Sequence, residues 1–130
     1  MISPRRFFAE HARRPYVPGE LDCCLAAADW CVHLGFPDPA EGIRGTYSSE
    51  EEYLAIVEDV GGVKAFAARM HDIGWLQADA ISNGAVAAIG SPTRSHKQWA
   101  AVGCDNRWHV RWAEGWVPFT AGALTIWRPA

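Results

Sequence analysis

The sequence predicts an α+β domain in which helices come first and an antiparallel sheet follows. From Ser3 to about His71, apolar residues recur at helical spacing between helix start and stop signals. After Asn83-Gly84, short apolar segments alternate with turn signals such as Ser-Pro, Asp-Asn and Glu-Gly, which is typical of strands. At 130 residues the chain fits one domain, 1–130, with a helical region over residues 1–75 and a β region over residues 84–128.

The first two helices have clear boundary signals. Ser3 before a proline starts the first helix, and Pro15 stops it. Asp22 can then cap a second helix that runs from Cys23 to Leu34 and is closed by Gly35. The sequence therefore predicts a helix with a cysteine at its first position.

Two more helices are predicted after a loop. Ser49 and Glu52 form a capping box for a helix through about Val60. A pair of glycines breaks this helix, and a further short helix ends at Gly74. The strands predicted after it are AVAAIG, QWAAVG, RWHVRW, GWVPF and ALTIW, and RWHVRW alternates polar and aromatic residues as a half-buried strand does.

Charge and hydropathy exclude several classes of function. The formal net charge of −3 provides no broad basic field, so we expect no nucleic-acid partner. No apolar run reaches the roughly 18 residues of a membrane-spanning helix, so no membrane-spanning segment is expected. The N-terminus has basic residues but no apolar stretch, which argues against a secretory signal.

Four cysteines are present: Cys23, Cys24, Cys31 and Cys104. Without a secretory signal they are expected to start out reduced in the cytosol. Their spacing matches no Cys-x-x-Cys pattern, which argues against a metal or iron–sulfur site, and no cofactor is expected. Cys24 and Cys31 lie seven positions apart on one helix face and are interpreted as core.

Cys23 has a chemical and a structural interpretation. A thiol at a helix N-terminus lies among unpaired backbone N–H groups at the positive end of the helix dipole, which favours the nucleophilic thiolate. The same N–H groups can help to form an oxyanion hole. The alternative is a buried cysteine that serves only as a small apolar side chain.

The residues at this point resemble a known family. A cysteine at the head of a helix that precedes an antiparallel sheet is similar to the NlpC-type papain-like peptidases, which cut peptidoglycan stem peptides and carry Asp-Cys-Ser-Gly at the helix start. Asp22-Cys23 matches the first two positions, whereas Cys24 and Leu25 depart from the rest. The longer string DCCLAAADW, with RGTY and GG downstream, resembles a small family encoded beside phage and prophage tail genes, a divergent NlpC-type branch.

The resemblance also implies candidates for the other catalytic groups. The second family motif is a strand, His-Val-Gly-Ile-Tyr-x-Gly, followed by a third polar member. Aligning it on Gly103 places the base position at Lys97, with His96 one residue away, and the third member at His109. Lysine is protonated near neutral pH, so His96 is the better candidate base. The other histidines, His11, His33 and His71, follow no partner pattern and are interpreted as surface or core.

Two functions follow from this resemblance. As an enzyme, the protein is a cysteine amidase or endopeptidase that degrades peptidoglycan during phage entry: Cys23 attacks, His96 moves the proton and His109 orients that histidine. As a virion protein, it keeps the fold with a degenerate catalytic site and has a structural or assembly role at the tail tip. Because the motif histidine is lost or shifted, the structural role is the favoured interpretation.

The tryptophans support a binding role. Seven are present, and five of them lie in the last third of the chain. Aromatic side chains are enriched at protein interfaces. Trp99, Trp108, Trp112 and Trp116 are therefore the candidate contacts to other phage tail proteins, such as those of the hub or distal tail. The expected location is the virion tail, after synthesis in the host cytoplasm, and peptidoglycan is a second possible partner.

Overall fold

The computed structural model describes residues 2–130. Five helices, α1 to α5, comprise Arg5–His11, Cys23–His33, Glu50–Val60, Val63–Ala67 and Arg69–Asp72. Six strands, β1 to β6, comprise Leu76–Ala78, Val86–Gly90, Gln98–Cys104, Arg107–Trp112, Gly115–Pro118 and Ala123–Arg128, and a 3-10 turn at Ser95–Lys97 precedes β3. Helices followed by a sheet confirm the predicted α+β order.

All six strands form one antiparallel sheet in the order β1-β6-β2-β3-β4-β5. The five predicted strands are present. Strand β1 was not predicted and lies outside the expected β range, because its three residues carry no alternation of their own and are held by pairing with β6. Strand β6 joins the sheet next to β2, so the last strand lies inside the sheet instead of at its edge.

The observed helix ends follow the capping signals. The Asp22 side chain accepts a hydrogen bond from the backbone N–H of Leu25, and the Ser49 side chain accepts one from Glu52. Gly61 ends α3 in the left-handed conformation at φ 94°, which a residue with a Cβ rarely adopts. The last predicted helix is instead two short helices, α4 and α5, which meet at Ala68.

The two faces of the sheet carry separate apolar clusters. Residues that alternate along β2 and β3 point to opposite faces. Ala88, Ala100 and Val102 pack against Ala27 and Cys31 of α2 in the main core. The other face holds a smaller cluster formed by Ala87, Ile89, Ala101 and Val110, which Cys23 contacts from the start of α2.

The smaller cluster is covered by the connection from β5 to β6. Residues 119–122 form this connection, and Phe119 and Ala121 pack against the cluster. The backbone N–H of Phe119 donates to Trp108, and the N–H of Gly90 donates to Gly122. Residues 119–122 therefore cover part of the second face of the sheet.

The turn between β3 and β4 fixes the register of this hairpin. Asp105 and Asn106 have positive φ angles of 53° and 63°, as a two-residue type I′ turn requires. Arg5 of α1 donates to the Asp105 carboxylate, which ties the first helix to this turn. The predicted Asp-Asn turn is confirmed.

A buried arginine links the first helix to β4. Arg111 is fully buried, and its Nε donates to Nδ1 of His11 over 3.3 Å. Its terminal nitrogens donate to the backbone carbonyls of Trp112 and Arg14. Nε2 of His11 in turn lies 2.9 Å from the Asp29 carboxylate. Titratable side chains on α1, α2 and β4 thus form one connected network beneath the main core.

Candidate functional site around Cys23

Asp22 organises the backbone around the helix start. Its carboxylate accepts hydrogen bonds from the backbone N–H groups of Leu25 and Gly19 at 3.1 Å and 3.3 Å, and from the hydroxyl of Tyr47. The backbone N–H of Gly45 also donates to Gly19. The aspartate therefore joins the preceding turn, the helix start and the loop that ends at Tyr47.

Three reactive side chains meet directly after Asp22. The Tyr53 hydroxyl lies 3.5 Å from the Cys23 sulfur and 3.2 Å from the Cys24 sulfur. Cys23 is only 4% exposed, and Tyr53, the fourth residue of α3, contacts its sulfur. Two adjacent thiols on α2 thus share one phenol from the neighbouring helix.

The two thiols have opposite pKa shifts. A hydrogen bond from the Cys24 side chain, together with those from Tyr53 and the backbone of Ala100, lowers the pKa of Cys23 despite its burial. The neighbouring Cys23 sulfur and burial raise the pKa of Cys24. Burial and the two nearby sulfurs raise the pKa of Tyr53. Of the two thiols, Cys23 therefore loses its proton at the lower pH, and the Tyr53 hydroxyl is placed to donate to its sulfur.

Cys23 lines an open cleft of about 420 Å³. The cleft lies where β3 begins and β4 ends, beside the start of α2. Its buried floor includes Asp22, Cys23 and Gln98. Its walls and rim come from four segments of the chain: Tyr16, Pro18, Glu50, Tyr53, Leu54, His96, Lys97, Trp99, Trp112 and Ala113.

His96, the candidate base, lies on the rim of this cleft. It occupies the 3-10 turn before β3, with its side chain exposed. Among residues 2–130, the Cys23 sulfur has a side-chain hydrogen bond to Tyr53, and neither His96 nor Lys97 is bonded to it. The structure brings Cys23 and His96 to one cleft but does not join them in a hydrogen bond.

His109, the candidate orienting residue, lies elsewhere. It faces the helices from the middle of β4, its ring packs 5.3 Å from that of Phe8, and its Nδ1 bonds the carbonyl of Arg107. Burial lowers its pKa. His109 is not among the residues that line the cleft.

Gln98 occupies the first position of β3, on the same face as Ala100. Its Nε2 donates to the carbonyl of Ser91, and its Oε1 accepts from the backbone N–H of Lys64. A Cβ on Gly62 would lie 2.2 Å from this Oε1, so the glycine makes room for the amide. Gln98 closes the cleft floor but has no proton to exchange near neutral pH.

The candidate binding tryptophans divide into two groups. Trp99 and Trp112 line the cleft, and Trp112 is 46% exposed. Trp116 instead stacks on Phe8 at 4.3 Å, with its indole nitrogen buried. Trp108 packs against the smaller cluster on the second face of the sheet. Only Trp99 and Trp112 are therefore placed to contact a ligand in the cleft.

The remaining cysteines lie apart from the cleft. Cys31 is buried in the main core, and burial raises its pKa; Cys104 lies at the end of β3 and its pKa is raised by burial and by Asp105. Within residues 2–130, no group of three or more His, Cys, Asp or Glu side chains is placed to hold a metal ion. Over the same residues, no helix is long and apolar enough to cross a bilayer.

Two residues of the site were not found from the sequence. The alignment on Gly103 selected Lys97, whereas the strand starts one residue later, at Gln98. Tyr53 lies three residues beyond the capped start of α3, and only the packing of α3 against α2 shows its role. A sequence signal for Gln98 was available in the two-residue period of QWAAVG, which places Gln98, Ala100 and Val102 on one face.

The arrangement can stabilise and present a thiolate. The Cys23 sulfur lies at the start of α2 beside Cys24 and the Tyr53 hydroxyl, and the cleft gives a ligand access to it. Cleavage of an amide needs in addition a group that returns a proton to the departing amine. Tyr53, with its raised pKa, donates a hydrogen bond but does not cycle a proton near neutral pH.

Comparison with known proteins gives a family but no named relative. Neither the curated proteins nor the solved structures include a match to this chain. One family model matches residues 3–128, nearly the whole chain. The chain therefore belongs to the family described as "Domain of unknown function (DUF6950)".

Proposed function

We propose that this protein is a virion tail protein with a divergent NlpC-type fold, which binds other tail proteins and has a degenerate catalytic site. The observation that carries this proposal is the bonding of the Cys23 sulfur to Tyr53 in place of a histidine. A cysteine peptidase needs an imidazole or an equivalent proton shuttle at that point. The association with tails comes from the resemblance of DCCLAAADW to the phage-encoded family.

Several features of the fold support the NlpC-type assignment. A capped Asp-Cys helix start packs against β3, and β2, β3 and β4 are consecutive antiparallel strands. The cleft then lies between the helix start and the beginning of β3. This is the region in which the resemblance implies a substrate site.

The cleft also supports a binding role. Three of the exposed large apolar side chains lie at or beside it: Trp112 and Leu54 line it, and Val17 lies between two lining residues. Aromatic anchors beside a pocket are the usual centre of a protein interface. We therefore place the contact with the neighbouring tail protein at the Trp112 rim.

A phage that encodes the protein provides the test. Mass spectrometry of purified particles is expected to find the protein, and Cys23→Ala phage is expected to assemble and infect normally. Trp112→Ala is expected to reduce incorporation roughly tenfold or more, as the loss of an interface anchor does. The control Arg107→Ala changes an exposed residue on the same strand, outside the cleft.

The active peptidase remains the second candidate, because Cys23 and His96 line one cleft. Cys23→Ala particles that assemble normally but no longer digest peptidoglycan would establish the enzyme instead. Absence of the protein from particles would refute the tail assignment.

A further inference from the structure

We infer that Cys23 is a thiol-exchange site that forms a mixed disulfide with a small, peptide-like disulfide bound in the cleft. This activity does not depend on the tail role, and the two are tested separately. The inference rests on the Tyr53 hydroxyl beside the Cys23 sulfur and on the fact that, within residues 2–130, no histidine is hydrogen-bonded to that sulfur.

The chemistry separates two classes of substrate. An amide nitrogen leaves only when it receives a proton, and the side chains bonded to Cys23 do not shuttle one near neutral pH. A disulfide needs no such group, because its leaving sulfur departs as a thiolate. The site therefore retains what disulfide exchange requires and lacks what amide cleavage requires.

The reaction balances without an added oxidant. The Cys23 thiolate attacks one sulfur of the ligand disulfide, and a new S–S bond forms as the old one breaks. The electron pair leaves with the second ligand sulfur as a thiolate, which takes a proton from water according to its own pKa. The Cys23 sulfur is oxidised and the leaving ligand sulfur is reduced, while the captured sulfur keeps its oxidation state, so one disulfide is consumed and one is formed.

The position of the sulfur restricts the reaction to Cys23. It lies on the floor of the open cleft, and the Tyr53 hydroxyl beside it can donate to the thiolate. Cys31 is in the main core, and Cys104 lies at the opposite end of β3. A ligand that enters the cleft therefore meets one reactive thiol.

The adjacent Cys24 does not readily displace the captured ligand. Cys24 shares the Tyr53 hydroxyl with Cys23, but a disulfide between them also requires their Cβ atoms to approach to roughly 3.5–4.5 Å, which adjacent residues of a helix reach only if the helix start is distorted. The Asp22 contacts hold the start of α2 in its helical geometry. The mixed disulfide at Cys23 is consequently the stable product.

The lining of the cleft indicates the kind of disulfide. A volume of about 420 Å³ suits a small molecule. The exposed Lys97 and Glu50 provide one charge of each sign at the rim, and Trp99 and Tyr16 provide flat apolar walls. These groups fit a short peptide with both a carboxylate and an amine, and glutathione disulfide is a suitable probe.

The experiment uses the reduced full chain with glutathione disulfide at pH 7, followed by intact mass measurement and peptide mapping. One glutathione per chain is expected, on Cys23, at least tenfold faster than on Cys31 or Cys104. Tyr53→Phe is expected to slow the reaction about tenfold and to move its pH midpoint upward, because a donor to the thiolate is lost. Circular dichroism establishes that each variant is folded.

A second variant tests the ligand and does not touch the core. Lys97→Glu is expected to slow the reaction with glutathione disulfide several-fold and to leave the reaction with cystamine, which has no carboxylate, unchanged or faster. Glutathione spread evenly over the four cysteines, or no adduct on Cys23, would overturn the proposal. Equal effects of Lys97→Glu on both probes would overturn the assignment of the ligand class.

Discussion

The Tyr53 hydroxyl lies 3.5 Å from the Cys23 sulfur and is bonded to the neighbouring Cys24 sulfur as well. A phenol in this place stabilises a thiolate but does not act as a base near neutral pH, since its pKa is raised by burial. Thiol reactivity and amide cleavage are therefore separate properties of this site, and each can be measured without the other.

The first prediction is that Cys23 is the most reactive thiol at neutral pH. Its pKa is lowered by the Cys24 hydrogen bond, whereas the pKa values of Cys31 and Cys104 are raised by burial. A lowered pKa means that the thiolate persists to lower pH. The rate of iodoacetamide labelling at Cys23 should therefore reach half its maximum below the roughly 8.5 of a free cysteine.

Peptide mapping of the labelled protein from pH 5 to pH 9 measures this. Denatured protein is the control, because unfolding removes the donors and should equalise the four cysteines. Faster labelling of Cys31 or Cys104 than of Cys23 in the folded protein would contradict the prediction.

The second prediction concerns the cap of α2. Asp22→Ala removes a helix cap and leaves the buried Tyr47 hydroxyl and the N–H of Gly19 without their acceptor. A lost cap costs about 1 kcal/mol and a buried unpaired group about 1–3 kcal/mol. We expect the free energy of unfolding to fall by about 3 kcal/mol.

Urea denaturation measures this loss, with Ser49→Ala as the matched control. Ser49 also caps a helix but is partly exposed, with water available to the freed N–H groups, so about 1 kcal/mol is expected. Equal losses in the two variants would mean that Asp22 acts as a cap alone.

The third prediction concerns the buried arginine. Arg111→Met leaves Nδ1 of His11 and the Arg14 carbonyl without a donor. Each buried acceptor left without a donor costs about 1–3 kcal/mol, so a loss of at least about 2 kcal/mol is expected. Arg107→Met, an exposed change on the same strand, should cost less than about 0.5 kcal/mol. Urea unfolding of both variants gives the comparison, and a small loss for Arg111→Met would show that water replaces the missing contacts.

Strand β4 shows what an alternating pattern can and cannot predict. RWHVRW correctly predicted a strand, because the period of two comes from the backbone alone. The pattern did not show that Arg111 would be buried and Trp112 exposed. That outcome depends on α1, whose His11 connects the arginine to Asp29. Whether the polar face of a strand is buried depends on its tertiary contacts, and the local sequence pattern does not show these contacts.

The candidate site was predictable to a similar extent. Asp22 and Cys23 were found because a capping residue and the first turn of a helix are local features. Tyr53 and Gln98 come from α3 and β3, and their contacts depend on how those elements pack against α2. Gln98 was predicted as the first residue of a strand but not as part of the site, because the motif alignment selected the preceding Lys97 and His96.

The fourth prediction is a pH dependence due to His109. Burial lowers its pKa, so the unfolded chain binds a proton at a higher pH than the folded protein does. Its contribution to stability is therefore unaffected well above the unfolded pKa of about 6.5. The contribution falls progressively as the pH drops from that value toward the folded pKa, and the loss is complete below the folded pKa. His109→Gln should be less sensitive to acid than the wild type.

Urea unfolding at pH 8 and pH 5 gives the measurement, and His71→Gln, an exposed change in α5, is the control. Lowering the pH from 8 to 5 should reduce the free energy of unfolding less in His109→Gln than in the wild type. No movement would mean that the ring of His109 reaches water when it is protonated.

The fifth prediction separates the two kinds of tryptophan. Trp116 stacks on Phe8 and contacts Phe7 and His11, so it holds α1 against β5. Trp116→Ala leaves a cavity in this contact and should lower the free energy of unfolding by about 3–5 kcal/mol.

Trp112 is 46% exposed at the cleft rim, and Trp112→Ala should lower the free energy of unfolding by about 1 kcal/mol or less. Thermal and urea unfolding of the two variants measure both values. Because Trp112 contributes little to folding, any loss of binding in Trp112→Ala can be assigned to the cleft itself; a large loss of stability in that variant would instead place Trp112 in the core.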